Sequence, residues 1–251
     1  MKLATPNSEL PPSPSPSPSP CKAVFGDSAR ASIPSTACAV LALFAALHFG
    51  LLHAQDADGF VPLFNGKNLD GWQGATKVYV AENGNLICQK HGTGDEESSH
   101  QNLFTKKEYA DFRLRFEFKL EAGANNGIAV RSPLEGRIAD AGMEIQVLDD
   151  SAERYKNLAP HQYHGSIYLL APAKRGHLKP VGEWNSQEIM FHGRRAKITL
   201  NGVVIVDVDL DNLEYTKYLD KNTGRKRAKG HIGFLGHGSR VEFRNIHIKE
   251  L

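Results

Sequence analysis

The sequence predicts an all-β protein, a two-sheet antiparallel β-sandwich of the jelly-roll type, and three observations carry that expectation. The first is segment 111–121, in which Phe112, Leu114, Phe116, Phe118 and Leu120 alternate with Asp111, Arg113, Arg115, Glu117 and Lys119. Alternation of that length marks a strand with one dry face and one wet face. The second is a series of short apolar runs separated by turn pairs, Asn83-Gly84, Asn126-Gly127 and Asn201-Gly202. Asn-Gly supplies the positive φ angles that a tight hairpin needs. The third is the lack of any stretch with a sustained helical period and matching caps.

The elements follow in order. Strands are expected at 78–82, 85–89, 111–121, 127–131, 142–148, 165–170, 185–191, 196–200, 203–208, 231–235 and 240–249. Asn201-Gly202 joins two of them as a hairpin. Segment 211–219 is expected as one short helix, and 151–158 as a loop or a single turn. Trp72, in Leu69-Asp-Gly-Trp72, reads as a core residue anchoring the first strand. Many short strands with Gly-rich turns pack as a sandwich.

The first 55 residues read differently. Residues 11–20 are a Pro-Ser repeat that favours polyproline II and buries nothing. Arg30 then precedes the apolar run 37–52, about 16 residues long, whereas a bilayer-spanning helix needs roughly 20. With Ala54 or Ala57 after it, the run reads as a secretory signal peptide, the alternative being a retained N-terminal anchor. Cys38 stands at the start of the apolar run instead of after it, which argues against a lipid-attachment box. The expected organisation is therefore a leader over 1–55 and a single domain over 56–251. Such a protein is exported, to the periplasm, the cell surface or the medium.

Composition excludes several classes. The leader holds three basic residues (Lys2, Lys22, Arg30) and two acidic ones (Glu9, Asp27) out of 30 and 28 in the chain, so the domain is close to neutral. Near-neutrality argues against nucleic acid or an anionic membrane as the main partner, and membrane contact is expected only through a retained leader. Cys88 is the sole cysteine after residue 55, so no intrachain disulfide or thiolate cluster forms in the domain. No phosphate loop, nucleotide fingerprint, Gly-x-Ser-x-Gly elbow or metalloprotease helix is present, and no nucleotide cofactor is expected.

The chemistry-bearing residues cluster on two expected strands. In Gly142-Met-Glu-Ile-Gln-Val-Leu-Asp-Asp150, Met143, Ile145 and Val147 face the core, so Glu144 and Gln146 project together from the other side. A carboxylate beside an amide suits a polyhydroxylated ligand, one accepting or removing a proton and the other both donating and accepting. In Asn125-Asn-Gly-Ile-Ala-Val-Arg131, Gly127, Ala129 and Arg131 face outward, leaving room for a ligand with Arg131 at one end. Arg131 either stabilises a developing oxyanion or pairs with Glu144. His237, in Gly236-His-Gly238, is placed at a strand end facing the ligand. Tyr168 and Trp184 are candidate sugar platforms, since the C–H face of a pyranose stacks on aromatic rings. A divalent metal held by His161, His164 and His177 with Glu144 or Asp149 is a further option, although no spacing supports it.

The segments 63–72 (Leu-Phe-Asn-Gly-Lys-Asn-Leu-Asp-Gly-Trp), Asn126-Gly-Ile-Ala-Val-Arg131, Gly142-Met-Glu-Ile-Gln146 with Asp149, Gly182-Glu-Trp-Asn185, Asn201-Gly202, Gly230-His-Ile-Gly-Phe-Leu-Gly-His237 and Phe243-Arg-Asn-Ile246 together resemble the 3-keto-disaccharide hydrolase domain family. The likeness runs from Phe60 to Leu251 with the motifs in the family's order. It implies a concanavalin-like jelly roll and cleavage of glycosides whose glucose ring carries a ketone at C3. In that reading Glu144 or His237 transfers the proton and Arg131 or a bound divalent metal holds the enolate. Gln146, Asn126, Tyr168, Trp184, Asn185, His164 and Asp149 are then the substrate-binding candidates. One departure is Tyr163-His-Gly-Ser-Ile-Tyr168, where the family usually has a small-residue turn, so His164 is expected to alter substrate choice or to add a metal ligand.

Two other readings share the architecture. A laminarinase-like glucanase needs paired acids, and Glu144-x-Gln146-x-x-Asp149 is a distant echo of that pattern, with Asp149 on the opposite face unless a bulge intervenes. A non-catalytic carbohydrate-binding module predicts affinity without turnover.

Overall fold

Alternation along the chain translates directly into layers. The computed structural model describes residues 56–90, 101–214 and 217–251; the leader, with its apolar run and Cys38, lies outside them. The strands are β1 (Val61–Pro62), β2 (Trp72–Gly74), β3 (Tyr79–Glu82), β4 (Asn85–Cys88), β5 (Asn102–Tyr109), β6 (Phe112–Leu120), β7 (Asn125–Ser132), β8 (Met143–Leu148), β9 (Trp184–His192), β10 (Arg195–Leu200), β11 (Val203–Asp209), β12 (Gly230–Gly236) and β13 (Val241–Glu250). A single turn of helix, α1 (Ile138–Ala141), sits between β7 and β8. The larger sheet has the order β11-β10-β9-β6-β13-β4-β3, with β1 also pairing β13; the smaller runs β2-β5-β12-β7-β8. All pairings are antiparallel, as the sandwich expectation requires.

The core lies between the sheets. Phe234 of β12 meets Phe243 of β13 at 4.5 Å and Phe116 of β6 at 6.4 Å, so one aromatic group stitches the two layers. Trp72 packs on Phe234 at 5.5 Å and is buried, as its motif suggested. Aromatic contacts of this kind add to the burial energy of the rings themselves. On the outer face of the larger sheet, Arg113 and Arg115 both bond Glu188. Those pairs account for the charged half of the alternation.

Five expectations need correction. Residues 102–109 form β5, which the sequence did not signal because Lys106-Lys107-Glu108 breaks the alternation after a buried run. Asn126-Gly127 is not a turn but lies within β7 near its start, paired on both sides by β8 and β12. Asn83-Gly84 and Asn201-Gly202, by contrast, adopt positive φ at both residues, the hairpin geometry expected of them. Segment 165–170 is not a strand. Gly165 and Leu169 have φ of +76° and +64°, and only Ile167 makes isolated bridges, to Ile145 and Ala171. The described residues of 211–219 form turns and bends, with no helix.

The fifth concerns Arg131, whose φ of +46° swings the side chain off the open face of the sheet. Its guanidinium is buried at one end of the sandwich, 2.7 Å from Asp111 Oδ1, and donates to the carbonyls of Ala110 at 2.9 Å and Gly193 at 2.8 Å. It lies over the Phe191 ring at 5.4 Å. Arg131 is therefore a bolt from the smaller sheet into the turns of the larger one, and it pairs with Asp111 instead of Glu144.

His164 is likewise a core residue. Its ring stacks on Phe118 at 5.0 Å, and Nδ1 accepts the Leu148 N–H at 3.2 Å. Burial pushes its pKa down to about 3. The imidazole is thus held neutral behind β8, away from solvent and ligand.

Two outcomes test these placements. Replacing Arg131 by Met leaves the Ala110 and Gly193 carbonyls without this donor and Asp111 with the Gly193 N–H but no cation, and because Asp111 is partly exposed the loss is set at roughly 2–3 kcal/mol in urea unfolding. For His164, the folded pKa lies below the unfolded value of about 6.5. Its contribution is therefore complete above pH ~6.5 and declines as pH falls toward ~3, by at most about 1.4 kcal/mol per pH unit. A His164→Leu variant should show a flatter stability slope between pH ~4 and ~6 than the parent.

Candidate functional site

The open face of the smaller sheet is set by register. Directly opposed residues in antiparallel strands share a face. Ala129 opposes Glu144, and Gly127 opposes Gln146. Gly233 and Leu235 of β12 oppose Ala129 and Gly127 in turn. Since Met143, Ile145, Val147, Ile128 and Phe234 fill the inter-sheet core, the residues alternating with them, Glu144, Gln146, Gly127, Ala129, Gly233 and Leu235, point outward. Phe104, Ala129, Ile138 and Leu235 make a small apolar floor of their own there.

Over that floor lies a cavity of about 380 Å³. Glu144, Gln146, Tyr168 and His237 all line it, so these four sequence candidates are brought together. Glu144 Oε1 is 3.5 Å from His237 Nε2. The Glu144 side chain is 9% exposed and that of His237 is 43% exposed, so the pair joins a sheltered carboxylate to an accessible imidazole. Gln146 Nε2 donates to Asn125 Oδ1 at 2.8 Å, which leaves the Gln146 carbonyl oxygen and the Asn125 amide hydrogens facing the ligand space.

Gly127 is required by crowding, not by backbone angle. A Cβ at this position would come within 2.4 Å of Glu144 Oε1 and 2.9 Å of its Cγ. The carboxylate therefore occupies the room that the missing side chain leaves.

The outer edge of β8 is closed by the segment expected as a strand. Gly165 N–H donates to Gln146 O, Gln146 N–H to Ser166 O, and Tyr168 N–H to Glu144 O at 2.8 Å. These bonds carry Tyr168 to the cavity beside Glu144. Gln162, which ends a 3-10 turn over Pro160–Gln162, donates from Nε2 to Tyr168 Oη at 3.0 Å.

The remaining candidates are elsewhere. Arg131 and His164 are occupied as described above. Asn126 points into the core toward the Tyr79 hydroxyl, 3.4 Å away, and its neighbour Asn125 takes the place expected of it. Period-2 counting back from Gly127 would have found Asn125. Asp149 accepts the Gly123 N–H at 2.7 Å and the Ser151 hydroxyl and N–H. Burial alone would raise its pKa, but those hydrogen bonds outweigh it and hold the carboxyl below the usual range. It thus fastens two turns and does not form an acid pair with Glu144, which removes the laminarinase-like geometry.

Trp184 lies on the outer face of the other sheet, opposite Lys119, with Arg244 at 3.9 Å over its ring. Asn185 ties Lys179 N–H and Asn201 Nδ2 to its Oδ1, bracing a loop. Tyr155, Leu158, Gln162, Asn102 and Arg137 complete the cavity from loops and β5. Those contacts span long sequence separations and have no local signal.

His161, His164 and His177 do not converge on Glu144 or Asp149. Among the described residues no group of three or more His, Cys, Asp or Glu side chains is placed to hold a metal ion. The donor set does not fit a resident metal.

A family model for 3-keto-alpha-glucoside-1,2-lyase-like domains matches residues 59–249. A 3-keto-disaccharide hydrolase from Bacteroides thetaiotaomicron is 28% identical over 231 residues, spanning 78% of this chain and 80% of that protein. Two crystal structures from Parabacteroides distasonis, each provisionally described as a glycosyl hydrolase, align over most of the fold. One is 30% identical with a TM-score of 0.63, covering 76% of this chain and 99% of the other. The second is 26% identical with a TM-score of 0.66, covering 78% and 95%. With the family model matched over residues 59–249, the chain belongs to the 3-keto-alpha-glucoside-1,2-lyase-like domain family.

Proposed function

We propose that this protein cleaves 3-keto-glycosides by elimination followed by hydration, with Glu144 as the base and His237 as its partner acid. The observation that carries the reading is the Glu144–His237 pair at 3.5 Å, set in a cavity of about 380 Å³. The family and its carbohydrate-active relatives support the substrate class.

A ketone at C3 acidifies the C2–H bond. Glu144 takes that proton, and the bonding pair moves into C2–C3 while the carbonyl pair moves onto oxygen. The enolate then collapses. C3=O re-forms, C1=C2 forms, and the C1–O bond breaks as the leaving oxygen takes a proton from His237. Water adds across C1=C2 by the reverse transfers: His237 accepts a proton from water as its oxygen bonds C1, and Glu144 returns a proton to C2. The sum is one glycoside plus one water giving 3-keto-glucose and the free alcohol, with both side chains restored. General acid and base groups in such roles contribute typically ~10²–10⁴-fold each.

Polar groups suit the rest of the ring. The Gln146 carbonyl oxygen and the Asn125 amide hydrogens accept from and donate to hydroxyls, and the apolar floor of Leu235 and Ile138 meets the C–H face. Sugar sites commonly combine a few placed polar groups with an apolar surface.

The test is incubation of the purified protein with 3-keto-trehalose and methyl 3-keto-glucoside. Release of 3-keto-glucose, or of the C1=C2 enone before it, is expected. Binding of unoxidised glycans with no product from any 3-keto-glycoside would favour the carbohydrate-binding module. Glu144→Gln should lower kcat by about 10²-fold or more with an unchanged melting temperature. Arg131→Met should keep near-parental turnover per folded molecule.

Gly127→Ala addresses placement. The added methyl has no room except where Glu144 Oε1 lies, and the flexible carboxylate is what gives way. A fall in kcat of about 10-fold or more at nearly unchanged stability is expected, because misplacing a reacting group by about 1 Å costs up to ~10²-fold.

A further inference from the structure

We infer that Tyr168 is a catalytic residue whose phenol O–H donates to the C3 oxygen of the reacting sugar, with Gln162 as the positioning residue that aims it. The inference rests on the 3-keto-glycoside reading above and supplies the enolate partner that Arg131 does not.

The orientation of Gln162 is fixed by what it touches. Its Oε1 accepts the Ala159 backbone N–H at 3.1 Å, a role only the carbonyl end of the amide can fill. The amino end must therefore face Tyr168, and Nε2 donates to Tyr168 Oη at 3.0 Å. The phenol oxygen accepts at this contact. Its own hydrogen is then directed away from Gln162, and the ring lines the same cavity as Glu144 and His237.

Position is fixed as firmly as polarity. The Tyr168 N–H bonds the backbone carbonyl of Glu144 itself at 2.8 Å, so the two residues are backbone neighbours at the edge of β8 and both line the cavity. In the proposed reaction the base acts at C2 and negative charge develops one atom away, on the C3 oxygen. A donor neighbouring the base is where that charge appears. Of the two hydrogens on Gln146 Nε2, one is committed to Asn125 Oδ1. The amide hydrogens of Asn125 remain, but Asn125 opposes Leu148, four residue pairs along the ladder from Ala129 and Glu144.

The phenol stabilises the enolate and keeps its proton. As charge builds on the C3 oxygen the hydrogen bond from Tyr168 strengthens; when C3=O re-forms it relaxes to a neutral contact. Interactions that are stronger in the transition state than in the ground state are those that raise kcat.

Tyr168→Phe separates this role from that of a sugar platform, because phenylalanine keeps the ring and removes only the donor. With methyl 3-keto-glucoside, kcat should fall by about 10²-fold or more, the loss typical of one oxyanion donor, while KM changes by less than about 3-fold. Gln162→Glu is the second arm. Its carboxylate can still accept the Ala159 N–H but also accepts the Tyr168 O–H, so kcat should fall and recover relative to the parent as pH is lowered through the carboxylate range. Near-parental kcat in Tyr168→Phe would overturn the assignment, as would a Gln162→Glu enzyme with the parent's pH profile. If the parent protein releases no product from any 3-keto-glycoside, the proposed function itself fails and the donor role falls with it. Product from the parent with an active Tyr168→Phe removes the donor role alone.

Discussion

A sandwich of two sheets has two open sides, and in this protein one is closed by a segment that belongs to neither sheet. Residues 163–174 bond the outer edge of β8 through Gly165, Ser166 and Tyr168, and then cross to the other layer, where the Lys174 N–H donates to Ile205 O of β11 at 2.9 Å. Gly165 makes the crossing possible, with φ of +76° and with Ile205 Cδ1 in the space a Cβ would take. An uncovered edge strand leaves a row of unpaired backbone groups, a liability for aggregation. Covering β8 satisfies those groups, and the same bonds bring Tyr168 and Gln162 to the cavity. Edge protection and site assembly are one structural event.

How far the sequence reveals this depends on the length scale of the signal. Strict alternation found β6 and both faces of β8, because burial of one face imposes a period of two on any strand between core and solvent. It therefore placed Glu144 and Gln146 on the open face. Segment 165–170 has strand composition, but its role is to turn and cover. Positive φ at Gly165 and Leu169 overrides the preference of Ile167 and its neighbours. Asn126 was one residue out of register from Asn125, and a single-residue slip exchanges core for surface. Arg131 failed for a related reason, since a local φ of +46° breaks the alternation that would have pointed it at the ligand. Trp184 illustrates a different limit. Alternation shows that it faces outward but cannot say on which sheet.

The site also shows how two strands can supply most of a pocket's chemistry while their neighbours supply space. β8 contributes Glu144 and Gln146, and the turn after β12 contributes His237. β7 and β12 place Gly127, Ala129 and Gly233 beneath them, residues too small to compete for the volume. Behind β8, His164 accepts the Leu148 N–H as a neutral ring, so the strand that carries the base is backed by an uncharged layer. Packing on one face of β8 and chemistry on the other meet in the same six residues.

The withdrawal of Arg131 to the end of the sandwich also leaves the charge of the cavity to other groups. Among the described residues lining it, Arg137 is paired to Asp140 at 2.9 Å and His237 is paired to Glu144. Both of those groups are already drawn toward a carboxylate, and the Glu144 carboxylate repels an anionic group at close range. The balance of charge in the cavity is thus set in part by where an arginine has been placed, not by any contact with a ligand.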